Sequence, residues 1–382
     1  MIAHRESGVD IALSSYWNSR IEENFRDKEG HMIQHVRMKF IAIVAAALFF
    51  GGWSSPATAD DFYQGKTITI MVGYAAGGGY DTYARTFARH LGQHIPGHPK
   101  VIVENTTGAG SLIAANDLYR KAKPDGLTIG SFGGGLVTEQ AIGLKGIRFD
   151  ARKFEWIGSL RSGSPVCAVM GFTGLRTLDD VLHSKTKLRI GSTGPGSTTD
   201  DLPKLMIGLM HAPFNVIRGY KGTSRVRIGM QRKELDGACW TWESMRTTAR
   251  SMLNATGDEK LIPYVIEGKW DAPEVKNLPQ FTALIKEKDN LEAFKAWLNA
   301  YKFFQPLALP PGTPQARVDV LRTALKETLQ DPAFKADAKK SNLIVASLSG
   351  EEIKNLVNET LSISPNAKSL LVDLIGRGKK QV

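Results

Sequence analysis

The sequence predicts an α/β protein of two lobes, each a mostly parallel sheet flanked by helices. Three observations carry that expectation. Short apolar runs of strand character repeatedly end in a glycine-rich loop and pass into an amphipathic helix, the alternation that parallel α/β sheets require. The 382 residues suffice for two domains of ordinary size. Near residue 160 one series of such units gives way to another, with no low-complexity linker between them.

The chain is read from its start. Arg37-Met38-Lys39 is a short basic segment, and Phe40 to Trp53 is an almost wholly apolar run. Ala57-Thr58-Ala59 then supplies the small residues of a cleavage site, directly before Asp60. The run is shorter than the roughly 20 residues of a membrane helix, so it is read as an export signal cleaved before Asp60. Residues 1–37 lie upstream of that signal, which marks Met38 as the true start or the first segment as an unusually long n-region. The remaining 60–382 carry 43 Lys/Arg against 32 Asp/Glu, a balance of +11. On an exported chain this charge argues against nucleic acid and suits small anions or a membrane surface. No later apolar run reaches membrane length, so a soluble mature chain is expected. The two cysteines, Cys167 and Cys239, sit in the apolar runs VCAVM and GACW and are expected to be buried thiols rather than a disulfide. No Cys/His spacing points to a metal.

Each unit follows in order. TITIMVGY, from Thr67, leads through Gly77-Gly78-Gly79 to a helix with Tyr83, Phe87 and Leu91 on one face. KVIVEN leads through TTGAGS to LIAANDLYRKA, and LTIGSF leads through a loop containing Gly134 and Gly135 to VTEQAIG. In the second series Leu175–Leu182 reads as a capped helix, and KLRIGS leads through Ser192-Thr193-Gly194-Pro195-Gly196-Ser197-Thr198 to a longer helix. Past Pro310-Pro311-Gly312, Thr313-Pro314 opens a helix with proline at its first position and a stripe of Val318, Leu321, Leu325 and Leu329. Asp331-Pro332 starts another.

Ligands of parallel sheets bind at the carboxyl ends of the strands, where these loops sit. Neither a phosphate-binding P-loop, a complete dinucleotide fingerprint, a nucleophile elbow nor a zinc helix is present, so no catalytic constellation or cofactor is indicated. What remains is a backbone anion site. Glycines at 77–79 allow close main-chain approach, Asp81 is a candidate N-cap, and the free N–H groups of the first helical turn attract an anion. The loop from Ser192 to Thr199 repeats the device with hydroxyls added. Tight turns that bind nothing are the alternative reading of each.

The order of motifs resembles the tripartite tricarboxylate transporter receptors, the Bug family of extracytoplasmic solute-binding proteins. Gly77-Gly78-Gly79-Tyr80-Asp81, Val103 to Ser111, Pro124-Asp125-Gly126-Leu127-Thr128, Ser192 to Ser197, Tyr220-Lys221-Gly222 and Pro310 to Pro314 follow the family's sequence of motifs. The resemblance implies a two-lobed periplasmic-binding-protein fold of type II character with the ligand cleft between lobes. By analogy the lobes are 60–160 with 281–382, and 161–280. It implies a non-enzymatic, monomeric receptor that passes a mono-, di- or tricarboxylate to a large and a small membrane subunit. It also implies a site formed by Tyr74, Gly78, Gly79, Tyr80, Asp81, Gly134, Gly135, Ser192, Thr193, Gly194, Gly196, Ser197, Thr198, Tyr220 and Trp240.

Departures from the family pattern bear on the ligand. Asp200 and Asp201 stand where a histidine is common, and an acid there repels a second ligand carboxylate or binds an amine or hydroxyl. In Cys239-Trp240-Thr241-Trp242-Glu243, either tryptophan stacks on an aromatic ligand or packs beneath the hinge. Asp289 to Phe304 lacks the usual prolines. His90, His94 and His98 read as surface histidines, because Pro96 and Gly97 end the helix that would align them. A secreted hydrolase and a sensing module without transport are the rival functions.

Overall fold

The ten strands of the computed structural model, which describes residues 62–375, divide into two five-stranded sheets. The expected export signal and cleavage point lie outside the described residues. In chain order the strands are β1 (Thr67–Val72), β2 (Lys100–Asn105), β3 (Thr128–Ser131), β4 (Glu155–Arg161), β5 (Pro165–Met170), β6 (Leu188–Gly191), β7 (Phe214–Ile217), β8 (Gly237–Thr241), β9 (Leu261–Ile266) and β10 (Phe304–Leu309). The first sheet has the order β2-β1-β3-β10-β4 and the second β7-β6-β8-β5-β9.

Each sheet is mostly parallel, as expected, with one of its five strands reversed. β1 pairs in parallel with β2 and β3, and β6 with β7 and β8. β10 runs against β3 and β4, and β5 against β8 and β9. The two reversed strands are those the chain enters on crossing from the other sheet: β4 reaches β5 through 162–164, and β9 reaches β10 through 267–303. Both reversals follow crossings between the sheets, which the local strand–loop–helix pattern does not encode.

Local structure follows the side chains. In β1, Ile68, Ile70 and Val72 are fully buried and alternate with Thr67, Thr69 and Met71, which are not. They pack with Tyr83, Phe87 and Leu91 of the helix Gly79–Leu91 in one core cluster. The helix Leu178–Leu182 is closed by a capping box between Thr177 and Asp180. Pro314 stands at the N-cap of the helix Gln315–Gln330, one position earlier than expected, and Asp331 caps Pro332–Lys340 through the Ala333 N–H.

Two expectations are corrected. Cys167 and Cys239 lie directly opposite one another in the β5–β8 ladder and form a disulfide. Strands 72 residues apart in sequence become neighbours only through the sheet order. His90 and His94 are half-buried rather than solvated: His90 Nε2 lies 3.0 Å from Asp337 and His94 Nε2 3.1 Å from Asp331, on the adjoining C-terminal helices. Among the described residues no helix is long and apolar enough to cross a membrane.

Candidate functional site

The carboxyl ends of β1 and β3 face those of β6 and β8 across one cavity. The first sheet supplies Tyr74, Gly78, Gly79 and Tyr80 after β1, Gly133 to Gly135 after β3, and Tyr301 and Phe304 at the approach to β10. The second supplies Thr193 and Gly196 to Thr199 after β6, then Thr223, and Trp240, Thr241 and Ser244 around the end of β8.

Two helices of 13 residues, Gly79–Leu91 and Thr198–Met210, begin at this cavity from opposite sheets. The N–H groups of Gly79, Tyr80, Thr198 and Thr199 have no partner among the described residues. Free donors at the positive ends of two helix dipoles are suited to a negative group. The Gly135 N–H, in the turn after β3, is likewise unpartnered. Glycine at 135 and 196 permits this assembly, since a β-carbon on Gly135 would collide with the Gly196 carbonyl and Gly196 has φ 76°.

Several predicted residues stand behind the wall rather than in it. Asp81 is not the N-cap, which is Gly78. Its carboxylate accepts from the Gly77 N–H at 2.9 Å, Arg85 at 2.9 Å and Asn105 at 3.0 Å, tying the turn to the helix and to β2. Burial alone would raise its pKa, but these hydrogen bonds outweigh it and hold the group below the usual carboxylate range. Ser192 donates to Asp200 at 2.7 Å and accepts from the Gly194 N–H, so it braces the second loop from within. Gly194, at φ 118°, packs against the backbone of Ala109 and Gly110. Tyr220 lies against Gly229, outside the cavity. Ser197 lines the cavity, yet its hydroxyl donates to the Gly194 carbonyl and is not free to donate to a ligand.

Asp200 does not face the cavity either. It is fully buried and accepts from Ser192, from Arg218 at 2.7 and 2.9 Å, and pairs with Lys204 at 2.6 Å. Burial raises its pKa, and these partners more than reverse it. Asp201 and Glu139, from different sheets, both accept from the single Gly196 N–H at 3.1 Å. Burial pushes Glu139 up to about 7, and burial together with the charges of Glu139 and Asp200 raises Asp201 well above its ordinary value. Two buried carboxyls sharing one donor retain a proton rather than both ionising. A raised folded-state pKa means that the folded protein holds the proton longer than the unfolded chain. Its contribution is therefore present below about 4.5 and is lost as pH rises through about 7. Glu139→Gln is expected to flatten the decline in melting temperature across that window. Equal slopes for the two proteins from pH 4 to 8 would contradict this.

At the crossing from β4 to β5, Arg161 is fully buried. Its Nη1 lies 3.2 Å from Glu243 Oε2, its guanidinium carbon 4.4 Å from the Phe304 ring centre, and its Nη2 donates to Thr241 Oγ1 at 2.9 Å. Arginine only donates, so Thr241 accepts here and its own hydroxyl hydrogen remains for another acceptor. Trp240 lines the cavity, whereas Trp242 is buried in the core of the second sheet.

Contacts across the cleft join the loops of the two sheets. The Ala75 N–H donates to the Lys221 carbonyl at 2.9 Å, Ser224 Oγ to the Ala76 carbonyl, and the Gly110 N–H to the Thr193 carbonyl at 2.9 Å. The loops of the two sheets are thus in direct contact beside the cavity. Sequence reading missed Gly133, Thr199, Thr223, Thr241, Ser244, Tyr301 and Phe304. The available signals were the polar positions flanking Trp240 and the aromatic run preceding β10, and neither has a local period that marks a cavity wall.

Residues 83–367 match the family described as the tripartite tricarboxylate transporter family receptor. A UPF0065 protein of Agrobacterium vitis is 27% identical over 327 residues, 84% of this chain and 86% of the relative. A UPF0065 protein of Bordetella pertussis is 26% identical over 309 residues, 78% of this chain and 84% of the relative. Among solved structures, periplasmic binding protein BugD superimposes with TM-score 0.65 at 22% identity, covering 83% of this chain and all of that one. MatC from Rhodopseudomonas palustris with bound malate gives 0.63 at 20% identity, covering 80% of this chain and 99% of that one. An R. palustris protein with adipate gives 0.63 at 16% identity, covering 82% and 98%. With the two mixed sheets and the shared cavity, the family match settles the class: the chain belongs to the tripartite tricarboxylate transporter receptors, the Bug-type solute-binding proteins.

Proposed function

We propose that this protein captures a small organic carboxylate in the periplasm and delivers it to the large and small membrane subunits of a tripartite tricarboxylate transporter. The observation that carries the reading is the pair of helix N-termini, one from each sheet, whose unpartnered N–H groups meet at one cavity. A carboxylate held by both is bound fully only when the cleft is shut, which couples capture to closure. Each hydrogen bond to a charged group contributes about 1.5–3 kcal/mol. Three or four such bonds, less the costs of closure and desolvation, suit micromolar affinity, about 8 kcal/mol. The malate and adipate of the similar structures support the class. Export with cleavage before Asp60 places the receptor where such a ligand arrives.

In this reading the lobes are 60–160 with 281–382, and 161–280. The hinge is the crossing at 162–164 together with the segment 267–303. The helix Pro365–Leu374 reaches across to the second lobe, where Leu374 meets Gly208. Thermal-shift screening of mono-, di- and tricarboxylates is expected to raise the melting temperature with at least one ligand. Small-angle scattering with that ligand at saturation should give a smaller radius of gyration than the ligand-free protein. Stabilisation without compaction would refute the closure mechanism, and no stabilisation by any carboxylate would refute the receptor reading.

A further inference from the structure

Among the described residues, no Asp, Glu, Lys, Arg or His side chain lines the cavity. The cations around it already have acidic partners: Arg161 has Glu243 at 3.2 Å, Arg218 and Lys204 share Asp200 at 2.7 and 2.6 Å, and Arg85 has Asp81 at 2.9 Å. Arg227 is the exception: it has no acidic partner among the described residues, donates to the Gly77 carbonyl at 3.1 Å and does not line the cavity. Glu139 and Asp201, the charged groups behind Gly196, are acids.

One carboxylate finds donors at the two helix N-termini. A second, enclosed in the same space, finds no cation in the wall and two carboxyls behind it. Burying an unpaired charge in that setting is heavily penalised. The remaining wall is made of the rings of Tyr74, Tyr80, Tyr301, Phe304 and Trp240 with the neutral hydroxyl residues Thr223, Thr241 and Ser244, and suits an uncharged body. One of these rings also carries a neutral polar atom that is buried and unpartnered among the described residues, Trp240 Nε1, in a residue 2% exposed. Such an atom pairs with a hydroxyl, keto or amide oxygen rather than demanding a charge.

We propose that this site selects a small monocarboxylate with an apolar or aromatic body, bearing at most neutral polar substituents, over di- and tricarboxylates. Discrimination comes from refusing the second charge rather than from an added attraction to the first. The proposal rests on the carboxylate-receptor reading above and narrows it.

The test is titration calorimetry on the mature chain with matched pairs: butyrate against succinate, hexanoate against adipate and benzoate against phthalate, with malate and citrate added. The tightest ligand is expected to be a monocarboxylate, bound at least tenfold more tightly than its paired diacid. If a di- or tricarboxylate binds best, or a diacid equals its partner, the selectivity is overturned while the receptor reading stands. If the folded protein binds no carboxylate of either kind, both fall together.

Discussion

Gly79→Val is expected to give a folded protein that binds carboxylates at least a hundredfold more weakly than wild type, a loss of about 2.8 kcal/mol or more. The reason is space rather than backbone conformation. A β-carbon at Gly79 would lie 2.8 Å from Ser244 Cβ and closer still to its hydroxyl. Gly79 opens a helix of the first sheet and Ser244 lies in the helix Trp242–Thr248 that follows β8 of the second. The collision is between lobes, so each sheet folds while the cleft is held open. The two helix N-termini then cannot reach the same carboxylate. Gly78 is less sensitive: its φ is −86°, and a β-carbon there would meet the Thr223 hydroxyl at 3.2 Å. A compensating change separates closure from folding. Gly79→Ala should lose affinity, and adding Ser244→Gly should restore much of it, a coupling that a double-mutant cycle measures. Wild-type affinity in folded Gly79→Val would show that the turns do not close on one another.

The strand–loop–helix units were legible because each is local. The alternation in β1 and the stripe of Tyr83, Phe87 and Leu91 declare themselves within a few turns. Most glycines and hydroxyls of the two turns at the cavity were legible for the same reason, as they mark where a strand gives way to a helix. Three kinds of feature were not. The Cys167–Cys239 bond and the reversed β5 and β10 depend on sheet order, which arises from crossings between lobes. The inward or outward direction of a polar residue depends on its partners: Asp81 and Asp200 turn away because arginines, Asn105 and Ser192 hold them. The aromatic wall at Tyr301 and Phe304 comes from a segment whose departure from the family pattern was visible but whose placement was not. Local chemistry named the loops, and long-range packing decided which of their residues line the cavity.

Glu243→Ala is expected to destabilise the protein by about 3–5 kcal/mol, the cost of leaving a buried ion without its partner. Arg161 is fully buried and its contacts are specific: Glu243, the Ser162 carbonyl at 3.0 Å, Thr241 Oγ1, and the face of Phe304. Glu243 Oε2 also accepts from the Ser164 N–H at 3.0 Å, so its loss strips a second donor at the same crossing. The loss is a large part of the 5–15 kcal/mol that typically holds a folded protein. Glu243→Gln keeps a side-chain acceptor for Ser164 and removes the charge, so it should cost less than alanine. Arg161→Met with Glu243→Leu removes both ions and should recover most of the stability, because paired removal leaves no orphan charge. That double variant should still bind ligand more weakly, since Thr241 loses the guanidinium that fixes its hydroxyl. Urea unfolding followed by circular dichroism gives the stabilities, and calorimetry gives the affinities. If Glu243→Ala unfolds within about 0.5 kcal/mol of wild type, the size of an ordinary surface substitution, the pair does not hold the crossing. If the double variant is as unstable as Glu243→Ala, packing at this position, and not charge, dominates.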